Sequence, residues 1–409
     1  MVIKMNYNET LNYIHSLGKF SQKPGLERIK KALLKLGNPQ NSLKTVHIAG
    51  TNGKGSTASM LASIFKTAGY KTGLYISPFV ITFCERIQIN GEFISEEDLC
   101  FYAKKVIDTE IALTEFEFIT ALAFTYFKDK NIDILICETG LGGRFDATNV
   151  FENHICTVIT KIGLDHTAVL GDTLGEIATE KCGILRNCKT VVSPNQKEKA
   201  LSVIKSLAKD YIIPDINSVE ILKSPNGENS FNYMGENYYL SLLGDYQIEN
   251  ALTVIETVKN CGFSVKEEDI KTGLKNTFFP ARMEILSEKP LIVLDGAHNP
   301  DGAEVLKKEL EKQNEDVTAI IGMCRDKNYK EVLRLTLPFC KNAVCVKINN
   351  KRSLPAEELK AEALKYCEAF SVTDIKSAIN KAIELSNGNP IFVFGSLYLA
   401  SEIRPLIKK

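Results

Sequence analysis

The segment His47-Ile-Ala-Gly-Thr-Asn-Gly-Lys-Gly-Ser-Thr57 has the residue types and the spacing needed to bind the phosphates of a nucleotide. Three glycines let backbone N–H groups turn toward a polyphosphate: Gly50, Gly53 and Gly55. Lys54 adds a full positive charge, and the hydroxyl of Ser56 or Thr57 can bind Mg²⁺. The predicted phosphate contacts are Thr51, Asn52, Gly53, Lys54, Gly55 and Ser56.

This loop departs from the common G-x-x-x-x-G-K-[ST] motif, because Ile48 replaces the first glycine and Gly55 precedes Ser56. A glycine-rich turn with a surface lysine is the alternative explanation. However, the apolar run Val46–Ala49 predicts a strand before the loop, and the pattern of Ser56–Lys66 predicts a helix after it. A strand, a glycine-rich loop and a helix in this order favour nucleotide binding.

Further polar residues follow an apolar run that is typical of a buried strand. Ile134–Cys137 is followed by Glu138, and an acid in this position can lie beside the Mg²⁺ of a bound nucleotide. Alone, a glutamate at the end of a strand is more often simply solvated. The next segment, Thr139–Asn149, is too rich in glycine for an ordinary connection, and it carries Arg144 and Asp146.

Two more segments place an imidazole where we predict that a strand ends. Gly163-Leu-Asp-His166 closes one predicted strand, and Lys181 lies fifteen residues further on, at the end of a predicted helix. Leu294-Asp-Gly-Ala-His-Asn-Pro300 closes the first predicted strand of a second domain. A lone histidine is usually structural and a lone lysine is usually exposed, but α/β proteins place their sites at the carboxyl ends of parallel strands.

Alternating strand and helix patterns along the chain predict an α/β fold with a mainly parallel sheet that is covered on both faces. The predicted strands of the N-terminal domain are Thr45–Ala49, Thr72–Ile76, Ile132–Cys137, Cys156–Thr160 and Thr190–Val192. The predicted helices are Ser95–Ile107 with a capping box from Ser95 and Asp98, Glu115–Phe127, Thr173–Cys182 and Gln247–Lys259.

A hairpin at Ser230–Leu240 is predicted to add a small antiparallel sheet to the N-terminal domain. After Pro280 a new series of predicted strands begins: Leu291–Leu294, Val317–Ile321, Ala343–Ile348 and Ile391–Phe394. We therefore predict two domains, a phosphate-loop domain at residues 1–286 and a smaller Rossmann-like α/β domain at residues 287–409, with the boundary near residues 284–290.

The composition indicates the expected cellular compartment and the classes of partner that it does not favour. Fifty basic residues balance fifty acidic residues, so the charge favours neither nucleic acid nor a membrane surface as a partner. The eleven cysteines contain no C-x-x-C pair, which indicates free thiols in a reducing cytoplasm. Met1–Asn12 lacks the apolar core of a signal peptide, and no apolar stretch reaches the length of a membrane span. A soluble cytoplasmic protein is expected.

Together these segments resemble the folylpolyglutamate synthase/dihydrofolate synthase family of the Mur ligase superfamily over nearly the whole chain. The most specific matches are Gly140-Leu-Gly-Gly-Arg-Phe-Asp-Ala-Thr-Asn149 and Asp295-Gly-Ala-His-Asn-Pro300. The shorter matches are Pro24–Ile29, Gly50–Ser56, Ser77-Pro78, Glu85–Ile87, Gly163–His166, Glu180–Gly183, Gln247 with Asn250, Pro280 with Arg282 and Glu284, and Phe394–Ser396. Many members of the family have histidine where this chain has Phe79.

The resemblance implies an ATP-dependent ligase. ATP phosphorylates a carboxylate of a folate, and the α-amine of L-glutamate then attacks the acyl phosphate to form an amide. Phosphorylation is needed because a carboxylate resists attack by amines, and the protein must position the reacting groups and neutralise their charge. The implied ligands are ATP, Mg²⁺, L-glutamate and folate or dihydropteroate. The resemblance also implies a monomer whose active site lies between two domains that close.

The resemblance further implies a role for each site residue. The implied Mg²⁺ ligands are Ser77, Glu138 and His166. The implied nucleotide contacts outside the loop are Asn250 near the adenine, and Arg282 and Asp295 at the ribose and phosphates. The implied catalytic residues are Lys54, Lys181 and His298, with Lys181 carbamylated by CO₂ so that it becomes an anionic oxygen ligand. The implied substrate contacts are Thr114, Glu115, Phe116, Glu117, Arg144 and Asp146.

Other functions have weaker support. A cell-wall amino-acid ligase of the same superfamily shares the ATP chemistry, but it would not be expected to carry Pro24–Arg28 and Thr114–Glu117 in these places. A regulatory GTPase or a motor ATPase also contains a phosphate loop, but the sequence has no Asn-Lys-x-Asp tetrapeptide for guanine. A pure binding module would not need Glu138, His166 and Lys181 together. Whether the chain also makes dihydrofolate from dihydropteroate stays open at this point.

Overall fold

The computed structural model describes residues 5–18, 25–222 and 229–408, and the chain forms two compact units. The first unit contains the described residues up to Pro78, then Cys84–Ser241 and Gln247–Phe278. The second unit contains Phe79–Phe83, Leu242–Tyr246 and the described residues from Phe279 onward. Pro24, the first residue of one matched segment, lies outside the described residues.

The main sheet of the first unit contains eight strands: β1 Thr45–Ala49, β2 Thr72–Tyr75, β3 Ile87–Ile89, β4 Glu92–Phe93, β5 Ile134–Glu138, β6 Cys156–Ile159, β7 Lys189–Val192 and β8 Tyr211–Ile212. Their spatial order is β4-β3-β2-β5-β1-β6-β7-β8. The pairs β2-β5, β5-β1, β1-β6, β6-β7 and β7-β8 are parallel, whereas β2-β3 and β3-β4 are antiparallel. Strands β1, β5 and β6 are buried along their whole length, which confirms the predicted sheet covered on both faces.

The first unit contains ten helices within the described ranges: α1 Tyr7–Ser16, α2 Glu27–Lys35, α3 Lys54–Thr67, α4 Glu96–Ile107, α5 Glu115–Asp129, α6 Thr167–Leu170, α7 Leu174–Lys181, α8 Glu198–Leu207, α9 Tyr246–Asn260 and α10 Glu267–Lys275. Ser95 caps α4 by accepting a hydrogen bond from Asp98 N. The return bond that would complete the predicted capping box is absent from the hydrogen bonds described for this helix start. Complete capping boxes begin α5 and α7 instead.

A separate antiparallel sheet contains β9 Val219–Leu222, β10 Asn229–Tyr233 and β11 Glu236–Leu240 in the order β11-β10-β9. Met234 and Gly235 connect β10 to β11, both with positive φ, as a tight hairpin turn requires. The predicted hairpin is therefore confirmed, with one further strand beside it.

The sheet of the second unit contains six strands: β12 Glu284–Glu288, β13 Leu291–Leu294, β14 Thr318–Ile321, β15 Asn342–Val346, β16 Glu368–Val372 and β17 Ile391–Phe394. Their order is β12-β13-β17-β14-β15-β16, and only β12 is antiparallel to its neighbour. The helices of this unit are α11 Pro300–Glu311, α12 Tyr329–Thr336, α13 Ala356–Ala363, α14 Ile375–Ser386 and α15 Leu397–Ile407. Alternate residues of the parallel strands enter two apolar clusters, one on each face of the sheet.

The structure corrects two predictions about strand ends. The second series of strands does not begin at Leu291–Leu294, because Glu284–Glu288 forms β12, so Leu291–Leu294 is the second strand of its sheet. A register shift between Ile285 and Ser287 interrupts the alternating pattern that would have revealed β12. His166 does not close a strand either, because β6 ends at Ile159 and His166 lies in the following loop. The domain boundary at residue 286 stays a prediction.

No helix within the described ranges is long and apolar enough to cross a membrane.

Candidate active site

The phosphate loop leads from β1 directly into α3, in the order that the sequence predicts. Gly53 has a φ of 89° at the start of α3, and a Cβ at this position would lie 2.5 Å from Asn250 Oδ1. A Cβ on Gly50 would overlap the side chain of Thr160. Both glycines are therefore required by close packing, and they bring the loop to the positive N-terminal end of α3.

Backbone hydrogen bonds tie the loop to the segment that follows β6. Thr51 N and Asn52 N both donate to Lys161 O, at 2.9 and 3.1 Å. The Thr51 hydroxyl donates to Gly163 O and accepts from Gly163 N, each at 3.0 Å. The first part of the loop is thus fixed by the chain itself, which leaves the amides at the start of α3 as the better candidates for phosphate contact.

Asn250, the predicted adenine neighbour, lies on α9 against the phosphate loop. Its side-chain N–H donates to Gln247 Oε1 at 2.9 Å, and Gln247 Nε2 donates to Ser56 Oγ at 3.3 Å. Gln247 is fully buried, and Ser56 is buried too. This pair of amides fixes the side of the loop that faces α9, whereas the adenine contact of Asn250 stays a prediction.

Glu138, Ser77 and Lys54 come together at the carboxyl ends of β2 and β5. Glu138 Oε2 accepts a hydrogen bond from Ser77 N at 3.1 Å, and Lys54 Nζ lies 3.9 Å from Glu138 Oε1. Lys54 Nζ also donates to Thr51 O at 3.2 Å. The Glu138 carboxylate is buried, so a nearby positive charge is needed to stabilise its ionised form. This arrangement joins an acid, a serine and a lysine beside the phosphate loop.

His166, the third predicted Mg²⁺ ligand, is the residue before α6 and has a positive φ of 51°. Its backbone N–H donates to Asp165 Oδ1 at 2.8 Å, and its Nε2 lies 3.9 Å from Asp165 Oδ2. Its side chain is 46% exposed. These contacts leave its assignment to the Mg²⁺ site a prediction.

The donor chemistry of the predicted set suits Mg²⁺, which prefers oxygen ligands such as the Glu138 carboxylate and the Ser77 hydroxyl. Within residues 5–18, 25–222 and 229–408, no group of three or more His, Cys, Asp and Glu side chains is placed to hold a metal. The predicted set contains only two such side chains, so its remaining ligands would have to be a serine, a modified lysine and the nucleotide.

Lys181 is buried at the last position of α7, and its Nζ donates to Gly50 O in the phosphate loop at 2.7 Å. Burial, and then the positive charge of Lys54, lower the pKa of its ammonium from the ordinary 10.5 to about 7. Asp165 and Asp146 act in the opposite direction. A large share of this amine is therefore uncharged near neutral pH.

The glycine-rich loop after β5 lies directly on the end of α7. A Cβ on Gly143 would be 2.6 Å from Lys181 O, and a Cβ on Gly183 would overlap the backbone of Arg144. Arg144 N donates to Glu180 O at 2.8 Å. The glycines at these positions allow backbone to touch backbone, which places the loop beside Lys181.

Two side chains that sequence reasoning missed join these segments. Asn149 Nδ2 donates to Arg144 O at 3.0 Å and to Gly183 O at 3.1 Å. Asn149 Oδ1 accepts from Arg186 Nη2 at 2.7 Å, and Arg186 also donates to the carbonyl oxygens of Phe151 and Leu185. Asn149 is the last residue of the glycine-rich segment Thr139–Asn149, but nothing in the sequence near Arg186 identifies Arg186 as its partner.

The predicted substrate contacts Thr114–Glu117 lie at the start of α5 and already contact other residues of the first unit. Glu117 completes the capping box with Thr114, and both of its oxygens also contact Arg28, at 2.8 and 3.1 Å. The Glu115 carboxylate lies 3.3 Å from His15 Nδ1. The Phe116 ring packs on the glycine-rich loop, since a Cβ on Gly140 would lie 2.5 Å from its Cζ. Glu117 thus has a structural role, and the substrate assignments on α5 stay predictions.

Asp146 is buried inside the glycine-rich loop. Its Oδ2 accepts from Leu141 N at 2.8 Å, and its Oδ1 accepts from the backbone N and the hydroxyl of Thr148, at 3.0 and 2.6 Å. Burial raises the pKa of the Asp146 carboxyl, and these hydrogen bonds act against that shift. Arg144 and Phe145 are about half exposed on the same loop. Asp146 therefore stabilises the conformation of the loop, and Arg144 and Phe145 form part of its exposed surface.

The second unit holds the remaining predicted residues around the end of β13. Asp295 accepts hydrogen bonds from Met283 N at 3.0 Å and Ala297 N at 2.8 Å. Burial raises the pKa of its carboxyl, and the charge of Arg282 opposes that shift. Arg282 donates to Ala281 O, and His298 Nδ1 lies 2.8 Å from Gly296 O, which can only accept. The structure thus brings Arg282, Asp295 and His298 to one end of this sheet.

Two family models match the chain. The Mur ligase middle domain matches residues 48–258, and the glutamate ligase domain of Mur ligases matches residues 281–397. The dihydrofolate synthase/folylpolyglutamate synthase of Bacillus subtilis is 34% identical, over 98% of this chain and 99% of the relative.

Solved structures of proteins with related names also match this chain over nearly its whole length. The structure of Escherichia coli FolC in complex with DHPP and ADP has a TM-score of 0.89 and 28% identity, over 98% of both chains. The Yersinia pestis folylpolyglutamate synthase/dihydrofolate synthase, complexed with AMPPNP and a Mn ion, has a TM-score of 0.87 and 29% identity, again over 98% of both chains.

Proposed function

Since this chain belongs to the folylpolyglutamate synthase/dihydrofolate synthase family of Mur ligases, it is an ATP-dependent ligase that joins glutamate to a folate, and we propose how its residues carry out that reaction. The γ-phosphate of ATP is transferred to a carboxylate of the folate, which gives an acyl phosphate and ADP. The α-amine of L-glutamate attacks the acyl carbon, the amide forms, and phosphate and a proton leave.

The observation that carries this proposal is the group of Lys54, Glu138 and Ser77 beside the phosphate loop. Lys54 supplies positive charge to the phosphates from the first position of α3, 3.9 Å from the Glu138 carboxylate. We assign Ser77, Glu138 and His166 to Mg²⁺, which when bound neutralises part of the phosphate charge. Arg282 and Asp295 are assigned to the nucleotide, together with Asn250, and His298 to the γ-phosphate.

Lys181 is proposed to carry CO₂ as a carbamate. The neutral amine attacks CO₂, a C–N bond forms and one proton is released, so a cationic side chain becomes an anionic oxygen ligand. Two features support this: the pKa of about 7 makes the neutral amine available, and a buried ammonium beside a Mg²⁺ site would repel the metal. Small carboxylates would be expected to replace the missing group in a Lys181→Ala protein.

Polyglutamylation of folate and synthesis of dihydrofolate use the same carboxylate activation, and they differ in the acceptor molecule. We propose that tetrahydrofolate is an acceptor and that dihydropteroate is a second one, in line with the double name of the Bacillus subtilis relative. Arg144, Thr114, Glu115 and Phe116 are assigned to contact with the acceptor, whereas the buried Asp146 and Glu117 are assigned to holding the acceptor site in shape.

A single assay tests the proposed function. Purified protein is given ATP, Mg²⁺ and L-glutamate with tetrahydrofolate, with dihydropteroate, or with neither acceptor, and both ADP and the folate products are measured. ADP should form only when glutamate and an acceptor are both present. Equal ADP formation without an acceptor would indicate a simple NTPase and contradict ligation. Product with tetrahydrofolate alone would restrict the enzyme to polyglutamylation.

We further propose a cytoplasmic monomer. All eleven cysteines are free and most are buried, which suits a reducing compartment. Light scattering on the purified enzyme measures the molar mass, and a value near twice the 45.5 kDa of the chain would contradict the monomer.

A further inference from the structure

A chain of hydrogen bonds joins β1 to the glycine-rich loop. His47 is fully buried in β1, three residues before Gly50, and its Nε2 lies 2.8 Å from the hydroxyl oxygen of Thr148. That hydroxyl lies 2.6 Å from Asp146 Oδ1. His47, Thr148 and Asp146 therefore form one continuous buried network, which the reaction described above does not use directly.

The direction of each hydrogen bond follows from its chemistry. The Asp146 carboxylate accepts from Leu141 N and Thr148 N, so the Thr148 hydroxyl donates to it as well. The single proton of that hydroxyl is then committed, and its oxygen can only accept from His47 Nε2–H. His47 Nε2 therefore carries a proton, and the ring is neutral when Nδ1 carries none. Its Nδ1 is buried and has no hydrogen-bond partner among the described residues.

The surroundings of His47 favour this neutral form. The ring of His154 meets the His47 ring edge to face at 5.5 Å, and Phe151 lies at the same distance on another side. Burial, His154 and the charge of Arg186 all lower the pKa of His47 well below its ordinary value. A second proton would therefore be disfavoured, and the single N–H is always available to Thr148.

The side chain of His47 is not needed to hold the phosphate loop. β1 pairs with β5 and β6 on its two sides, with His47 opposite Cys137 and Thr157, so backbone hydrogen bonds fix the strand. What His47 does reach, through Thr148 and Asp146, is the loop that exposes Arg144 and Phe145. Its loss should therefore affect the loop after β5 rather than the loop after β1.

We propose that His47 is a positioning residue for the folate acceptor: through Thr148 it orients Asp146, and so holds residues 140–146 in the shape that binds the acceptor. This inference rests on the proposed function and on the assignment of this loop to the acceptor. It makes a buried residue of the phosphate-loop strand a determinant of acceptor affinity, without a contact to the acceptor itself.

Two substitutions at His47 separate positioning from simple packing. His47→Leu fills the space but removes the N–H, whereas His47→Gln can place an amide N–H where Nε2 stands. With saturating glutamate and Mg²⁺, we expect His47→Leu to raise the KM for tetrahydrofolate by roughly tenfold and to leave the KM for ATP within about twofold of wild type. His47→Gln should restore most of the affinity for tetrahydrofolate.

His154→Leu is the matched control. His154 is also buried and contacts His47, but its Nε2 bonds to Thr157, at 2.6 Å, instead of to the glycine-rich loop. His154→Leu should lower the thermal midpoint and leave the KM for tetrahydrofolate unchanged. If a merely structural role explained His47, both leucine variants would change stability and neither would change the balance between the two KM values.

Thr148→Val tests the same chain from the other side if His47→Leu does not fold. Valine has the shape of threonine but lacks the hydroxyl, so the same selective rise in the KM for tetrahydrofolate is expected. Folded variants with unchanged KM for tetrahydrofolate, or with equal rises in both KM values, would overturn the inference. Absence of ligation by the wild-type enzyme would instead overturn the proposed function, so the two failures are distinguishable.

Discussion

The two units differ in the partners that they provide for a buried ionisable side chain. In the first unit, Lys181 is buried and its amine contacts a neutral carbonyl oxygen, Gly50 O. In the second unit, Glu284 is also buried, but Arg404 Nε and Lys408 Nζ both contact its carboxylate, at 3.0 to 3.2 Å. Burial alone would raise the pKa of Glu284, yet these cations and Ala281 N hold it below its ordinary value.

The difference separates a reactive group from a structural one. A buried charge with charged partners keeps its protonation state over a wide pH range and stabilises the fold. A buried amine without a carboxylate in contact loses its proton near neutral pH and becomes a nucleophile. Lys181 therefore suits chemistry, whereas Glu284 anchors α15 to β12.

Lys54→Ala should have the largest effect, because it removes the full positive charge at the phosphate loop. We expect ligation to fall by about two to three orders of magnitude with the fold intact. Steady-state rates and circular dichroism measure the two effects. Lys66→Ala, at the exposed far end of the same helix, is the control and should retain normal turnover. Near-normal turnover by Lys54→Ala would remove the loop from the mechanism.

Lys181→Arg tests whether the buried amine of the first unit is a reactive group. Arginine keeps its charge and does not form this carbamate, so turnover should fall by about 100-fold. Wild-type activity should decrease as the pH falls below about 7, because protonation of Lys181 removes the neutral amine, and bicarbonate should oppose this loss. Lys161→Arg is the control, because the Lys161 side chain is 43% exposed and pairs with Glu249. A fully active Lys181→Arg enzyme, with no carbamate signal in ¹³C NMR under ¹³CO₂, would refute the carbamate.

Glu138→Gln and His166→Ala should have smaller effects, confined to the metal. Loss of one ligand should raise the Mg²⁺ concentration for half-maximal activity by roughly tenfold, with little change at saturating Mg²⁺. Titration of Mg²⁺ against initial rate provides the measurement, and the exposed Glu152→Gln is the control. Curves that superimpose on wild type for His166→Ala alone would leave Glu138 in the site and remove the histidine.

Glu284→Gln should have the smallest effect on turnover, although it destabilises the second unit. The neutral amide leaves Arg404, whose side chain is 14% exposed, without its carboxylate, which costs about 3 kcal/mol in the free energy of unfolding. Because the folded-state pKa of Glu284 is lowered, this contribution is present above pH 4.5 and is lost as the pH falls through the folded value. Urea unfolding at pH 7 and pH 4 measures it. A large loss of turnover by a variant that remains folded would contradict a purely structural role for Glu284.

The fold was predictable wherever strands are buried on both faces. Such strands read as continuous apolar runs, and Thr45–Ala49, Leu291–Leu294 and Ile391–Phe394 match the structure residue for residue. The edge strand β12 was missed, because its residues Glu284, Ser287 and Glu288 are polar and a register shift breaks its alternation. An edge strand has one solvated side, so its sequence resembles a connection.

The site was predictable where one strand or one loop supplies the chemistry. Glu138 closes β5 and Lys54 begins α3, and both positions follow from local sequence. The partners that set geometry lie far away along the chain. Arg28 reaches Glu117 across 89 residues, and Arg186 reaches Asn149 across 37. Such pairs depend on how distant segments of the chain pack together, which a local sequence pattern does not predict.

The contact of Gly143 and Gly183 with opposing backbone has a mechanical consequence. Side chains can change rotamer to absorb a displacement, but two backbones in van der Waals contact leave no such slack. The loop of residues 140–146 and the end of α7 should therefore move as one rigid body. A ligand that shifts this loop by a few tenths of an ångström would therefore shift the Lys181 backbone by a similar distance. Correct placement of the loop and correct placement of Lys181 thus depend on each other.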